Sequence, residues 1–127
     1  ALLAEYPSKA LRAIGLAAPE DVNIALESPG DFVLVDAKDP VRRGGTGERA
    51  PSALVEAVCR ARPTVVAGGL NVGNVALAIK DYRPFGVDVA SGVESAPGIK
   101  DSKKIEQLIC RASEAFKDIE DRAVQHV

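Results

Sequence analysis

The chain of 127 residues has no Met and no Trp, a single His, and only two Cys, two Tyr and three Phe. One histidine and two cysteines supply no metal-ligand spacing, so no metal is expected. The histidine, His126, belongs to a terminus expected to fray. Cys59 and Cys110 do not make a disulfide framework; both fall in helix-like stretches and read as reduced thiols of a cytoplasmic protein. With so few aromatic side chains there are few platforms for stacking single-stranded nucleic acid. Sixteen Lys and Arg against 18 Asp and Glu give a net charge of -2, which argues against phosphate-backbone binding. No nucleic-acid partner is expected. No apolar run approaches the roughly 20 residues of a membrane-spanning helix. Ala1 to Ala4 is too short for the apolar core of a secretory leader and lacks a basic start. Starting on Ala without any Met is weak evidence by itself, because Met is commonly removed before Ala.

What the chain does contain is alternation. Hydrophobic residues make up 46% of it and charged residues 27%, as in ordinary globular proteins. Its length sets a prior of one domain, over 1–127. Ala10 to Leu16 reads as a strand interrupted by Arg12, and Pro19 opens a helix over Glu20 to Glu27 that Ser28-Pro29-Gly30 ends. Asp31 to Asp36 carries the continuous apolar run Phe32-Val33-Leu34-Val35, the mark of a strand buried on both faces of a parallel sheet. A polar loop then leads to a helix from Pro51-Ser52 to about Arg62. Thr64 to Ala67 is the third strand. Asn71 is the expected N-cap of the next helix, and Phe85 to Ala90 the fourth strand. Ser91 to Lys100 reads as a loop, Asp101 to about Lys117 as the last helix, and 118–127 as a frayed polar tail. Four strands alternating with four helices imply right-handed crossovers and a parallel α/β sheet, either open or closed into a barrel.

Ligands of such folds bind at the carboxyl ends of the strands. There the sequence places Asp36-Ala37-Lys38, then Gly68-Gly69-Leu70-Asn71, then Ser91-Gly92. One glycine turn can simply reverse the chain. Two in succession, each followed by a helix, favour a phosphate cradle, because glycine lets the backbone approach a ligand closely and early-helix amides favour an anion. Asp36 is either a general acid at the mouth or a cap for the following loop; spacing leaves both open. Asp88 is likewise a site residue or a structural hydrogen bonder. Lys38, Arg42 and Arg43 read as a solvated loop face. Gly44-Gly45-Thr46-Gly47 lacks the Gly-Lys-Ser/Thr ending of a P-loop and reads as a loop over the site or a linker.

Asp36-Ala37-Lys38 with Gly44-Gly45-Thr46-Gly47, Ala67-Gly68-Gly69-Leu70-Asn71, Gly86 to Glu94 and Pro97-Gly98-Ile99-Lys100-Asp101 together resemble the phosphoribosylanthranilate isomerase family of tryptophan biosynthesis. The resemblance covers about residues 10 to 115. It implies a TIM (β/α)8 barrel, of which this chain is the C-terminal half, strands five to eight. It also implies an Amadori rearrangement of a phosphosugar substrate, an aldose–ketose isomerisation needing no cofactor or metal. By the same resemblance Asp36 is the general acid. Gly68, Gly69, Ala90, Ser91 and Gly92 hold the phosphate, Asp88 supports the site, and Arg12 is a weaker substrate candidate. The family's base, a Cys in a Lys-Ile-Cys-Gly stretch on the first strand, has no counterpart here; Cys59 and Cys110 lie on outer helices. The expectation is therefore a piece of a longer frame or one partner of a split enzyme, inactive until the N-terminal half joins it in cis or as a second chain.

Three departures stand out. Glu48 to Ser52 replaces the family's usual Phe-Asp-Trp, Val72-Gly73 replaces Pro-Glu, and Ala90 replaces a common Ser while keeping the backbone amide. The alternatives are another phosphosugar barrel related to indole-glycerol-phosphate synthase, or a non-catalytic half-barrel that binds or assembles.

Overall fold

The continuous apolar runs become the centre of a sheet. In the computed structural model, which describes residues 11–37 and 52–125, Ala13–Gly15 (β1), Val33–Asp36 (β2), Thr64–Ala67 (β3) and Gly86–Val87 (β4) form one four-stranded sheet in the order β1-β2-β3-β4. Every pairing is parallel. Between the strands run the helices Pro19–Glu27 (α1), Ser52–Ala61 (α2) and Val75–Tyr82 (α3), and after β4 comes Ser102–Gln125 (α4). The chain divides into two compact units, Ala1–Gly68 with Pro84–Asp88, and Gly69–Arg83 with Val89–Val127.

The first unit holds the sheet, α1 and α2. Register puts Ile14, Val35, Val66 and Val87 in one row across the strands. Val35 and Val66 are fully buried, as are Val33 and Thr64 two residues earlier, and Val55 and Val58 of α2. Successive side chains of a strand point to opposite faces. The other face therefore carries the row Ala13, Leu34, Val65 and Gly86. There Ala13 is exposed and Leu34 and Val65 are only half-buried. Among the described residues of this unit, helices cover one face.

Both ends of α1 are fastened. Pro19 starts it, and the Asp21 carboxylate accepts the Ala17 and Ala18 amides at 2.8 and 2.9 Å. These bonds favour the ionised form and hold the Asp21 carboxyl below its ordinary range. At the other end the Arg62 guanidinium donates to the carbonyls of Ala25, Ser28 and Gly30 at 3.0, 2.7 and 2.7 Å. A cation there also complements the helix dipole.

The second unit is helical with a small hairpin. Its core joins Leu70, Val75, Ala78 and Ile79 with Val93, Ala112 and Ala115. α3 ends at Arg83, in the left-handed region at φ 48°. Ser91–Val93 is a single 3-10 turn, followed by the antiparallel strands Glu94–Ala96 (β5) and Ile99–Lys100 (β6).

Four expectations are corrected. The fourth strand keeps only two residues of Phe85 to Ala90, because β4 pairs on β3 at Gly86 and Val87 alone. The loop over Ser91 to Lys100 contains a hairpin, turned by Pro97 with Gly98 at φ 79°. The helix expected to stop near Lys117 runs to Gln125, so most of 118–127 is helical and not a frayed tail. Asn71 is not the N-cap of α3; Asn74 occupies that position.

Candidate functional site

At the carboxyl end of the first unit, Asp36 closes β2, half-buried, paired in register with Gly15 on one side and Ala67 on the other. The Ala37 amide donates to the Ala67 carbonyl at 2.9 Å, which carries the ladder one step past the strand. Gly68 follows Ala67 directly and has φ 92°, a conformation costly for any residue with a Cβ. Asp88 lies one residue beyond β4, not inside it. It is exposed, and its amide donates to the Val66 carbonyl at 2.9 Å. Its place is the same carboxyl end of the sheet, but its side chain is not buried. Arg12 is exposed and precedes β1, at the amino end of the sheet. Its carbonyl accepts the Leu34 amide at 3.1 Å. That end is opposite to Asp36, so Arg12 is not brought to the site. Lys38, Arg42, Arg43 and Gly44 to Gly47 lie outside the described residues.

The second unit contains the remaining glycine positions. Gly69 has φ 68° and begins a turn locked by two asparagines. The Asn71 amide donates to Asn74 Oδ1 at 2.8 Å, and the Asn74 amide donates to Asn71 Oδ1 at 3.1 Å. Asn74 Nδ2 donates to the Gly69 carbonyl at 2.9 Å. The Gly73 amide also donates to Asn71 Oδ1 at 2.8 Å. Val72-Gly73 thus belongs to this turn rather than to α3, which begins only at Val75.

Against this turn lies the second one. A Cβ on Gly92 would collide with the Leu70 carbonyl oxygen and stand 2.9 Å from Asn71 Cα. Backbone on backbone leaves no room to yield, so glycine is required by close approach. Ala90 caps the 3-10 turn, and its carbonyl accepts Lys100 Nζ at 3.0 Å. The same ammonium donates to the Glu94 carboxylate at 3.1 Å and holds that carboxyl below its ordinary range. Lys104 Nζ reaches the Glu94 carbonyl at 2.9 Å, and the Asp101 carboxylate accepts the Lys103 and Lys104 amides to cap α4. An open cavity of about 300 Å³ is lined by Ser91, Glu94, Ser95, Ala96 and Pro97.

Asn74 and Lys100 are the polar residues that sequence reasoning did not assign to the site. The signal for Asn74 was its spacing, three residues after Asn71, which permits reciprocal capping. Among the described residues, no three His, Cys, Asp or Glu side chains gather as metal ligands. Cys59 lies on α2, where burial pushes its thiol up to about 11. Cys110 is exposed on α4.

Parallel strands joined through helices, with Asp36 at the carboxyl end of β2 and Gly68 at that of β3, define an α/β protein of repeated βα units. The family N-(5'phosphoribosyl)anthranilate (PRA) isomerase matches residues 4–111. The isomerase of Desulforudis audaxviator is 42% identical over 113 residues, covering 87% of this chain and 55% of that protein. The isomerase of Chlorobium chlorochromatii is 48% identical over 93 residues, covering 70% and 43%. Among solved structures, the isomerase of Pyrococcus furiosus superposes with a TM-score of 0.68 at 34% identity, covering 89% of this chain and 55% of that one. A phosphoribosylanthranilate isomerase in complex with reduced 1-(o-carboxyphenylamino)-1-deoxyribulose 5-phosphate superposes at 0.60 with 33% identity, over 82% and 48%. The chain belongs to the N-(5'-phosphoribosyl)anthranilate isomerase family, and it spans about half the length of the relatives it matches. No helix among the described residues is long and apolar enough to cross a membrane.

Proposed function

We propose that this chain is the strand-five-to-eight half of a phosphoribosylanthranilate isomerase barrel. Joined to the other half, it catalyses the Amadori rearrangement of tryptophan biosynthesis. Asp36 protonates the ribose ring oxygen, and the bond from that oxygen to carbon 1 breaks, leaving an iminium between carbon 1 and the anthranilate nitrogen. A base removes the proton from carbon 2, and the resulting enolamine tautomerises to the 1-deoxyribulose product. The base comes from the other half, since Cys59 sits on a helix with a thiol protonated at neutral pH. Gly68, Gly69, Ala90, Ser91 and Gly92 make the phosphate site, and Asp88 supports it. Arg12 has no part in it. The chain alone has an acid and a phosphate cradle but no base, and does not turn over.

The observation that carries this reading is the fit of the two turns. Gly69 is left-handed and Gly92 packs against Leu70 with no space for a Cβ, so bare backbone is brought together where an anion is expected. The test mixes the 127-residue chain with the complementary half of a family relative and follows isomerisation. Turnover is expected from the mixture and from neither half alone. Asp36→Asn should abolish it while phosphosugar binding stays nearly intact. Unchanged turnover would sink the assigned acid. Binding by the wild-type mixture without turnover would favour a non-catalytic module.

A further inference from the structure

Two side chains outside the glycine turns grip the turns by their carbonyls. Asn74 Nδ2 holds the Gly69 carbonyl at 2.9 Å and Lys100 Nζ holds the Ala90 carbonyl at 3.0 Å. A trans peptide is planar, and its C=O and the following N–H point in opposite directions. Holding the Gly69 oxygen therefore aims the Leu70 amide, and holding the Ala90 oxygen aims the Ser91 amide. The two turns meet where Gly92 lies on Leu70, so both aimed peptides belong to one backbone junction.

We infer that Asn74 and Lys100 are the positioning residues of the phosphate site: they touch carbonyl oxygens, not the phosphate, and set the direction of the two amides that receive it. This rests on reading the turns as that site. Asn74 must be an amide. Its Oδ1 accepts the Asn71 amide while its Nδ2 donates to Gly69, and a carboxylate could do only the first. Lys100 does a second job. By pairing with Glu94 it neutralises a carboxylate that would otherwise repel an anion at Ser91.

The experiment titrates the 15N-labelled 127-residue chain with inorganic phosphate and follows individual amide resonances. In the wild-type chain the Leu70 and Ser91 amides are expected to shift together, with one Kd. Asn74→Asp should weaken binding about tenfold and remove the Leu70 response while the Ser91 response survives at higher phosphate. Lys100→Met should do the reverse, and Lys100→Arg should restore the Ser91 response. A residue needed only for folding would not separate the two amides. If Asn74→Asp fails to fold, the Lys100→Met and Lys100→Arg pair decides the matter at Ser91. Wild-type Kd and wild-type shifts in both variants would overturn the inference and leave the phosphate site standing. Loss of both responses equally in each folded variant would also overturn it. No saturable response in the wild-type chain would bring down the phosphate site, and this inference with it.

Discussion

On one face of the parallel sheet Ile14, Val35 and Val66 are 6%, 0% and 0% exposed; on the other, Leu34 and Val65 are half-buried and Ala13 and Gly15 are exposed. The residues are of the same kind and alternate along the same strands, so side-chain chemistry does not separate them. Cover does. α1 and α2 lie on the first face. The runs Val33-Leu34-Val35 and Thr64-Val65-Val66 are composed for burial on both sides, as the strands of parallel sheets are. The open face is thus apolar where a lone domain would be polar, and the outer strands β1 and β4 each pair on one side only among the described residues. Both features suit the proposed joining to another half.

The comparison is broken most directly by truncating each face in turn. Val66→Ala, on the covered face, should cost about 2–3 kcal/mol in urea denaturation of the chain. Val65→Ala, its neighbour on the open face, should cost less than about 1 kcal/mol. Equal losses would mean that both faces are covered. Next in size is the fastening of the covering layer. Arg62→Ala frees the Ala25, Ser28 and Gly30 carbonyls at the end of α1 and should cost about 2 kcal/mol by the same measurement. Arg62→Lys should recover only part of it, since an ammonium lacks the fork that spans the three acceptors.

Much of this architecture was legible because local pattern and tertiary role coincide. Thr64 to Ala67 reads as a strand and is one, and Pro19 and the acids after it mark the start of α1. The glycine turns were legible as turns. Their fit was not, because the contact between Gly92 and Leu70 joins residues far apart in sequence. Arg62 is the stronger case. Its acceptors lie 32 to 37 residues away, and nothing local distinguishes it from a solvated arginine. Pro97-Gly98 is itself a turn signal, inside the stretch expected to be a loop. The apolar stripe of α4 continues beyond Leu108 as Ala112, Ala115 and Ile119, small or late enough for the segment after Lys117 to look like a tail. β4 ran short because a strand's length is set by its partner's register as much as by its own residues.

Smaller effects test the two sides more finely. The Asp21 carboxyl is held below its ordinary range in the folded chain, so its contribution is present above that ordinary pKa. The contribution is lost as pH falls through the lowered value. Asp21→Asn should therefore lower stability in the neutral region, converge on the wild type at the acid end and so flatten the acid limb of a stability–pH curve. An acid limb identical to the wild type would show that the N-terminal bonds of α1 contribute nothing.

The smallest expected effect is also the one most diagnostic of the open face. A Cβ on Gly15 meets nothing within 4 Å, so Gly15→Ala should change the stability of the chain alone by no more than about 0.5 kcal/mol. Gly15 pairs with Asp36 across β1 and β2, on the face the helices leave uncovered. If the complementary half closes over that face, the added methyl has to fit into a packed interior, and association should weaken by about 1–3 kcal/mol. Binding of the two halves, measured by titration calorimetry with wild-type chain and Gly15→Ala, reads this directly. A variant neutral alone and costly in the complex marks the open face as the closing surface; a variant neutral in both shows that the other half closes elsewhere.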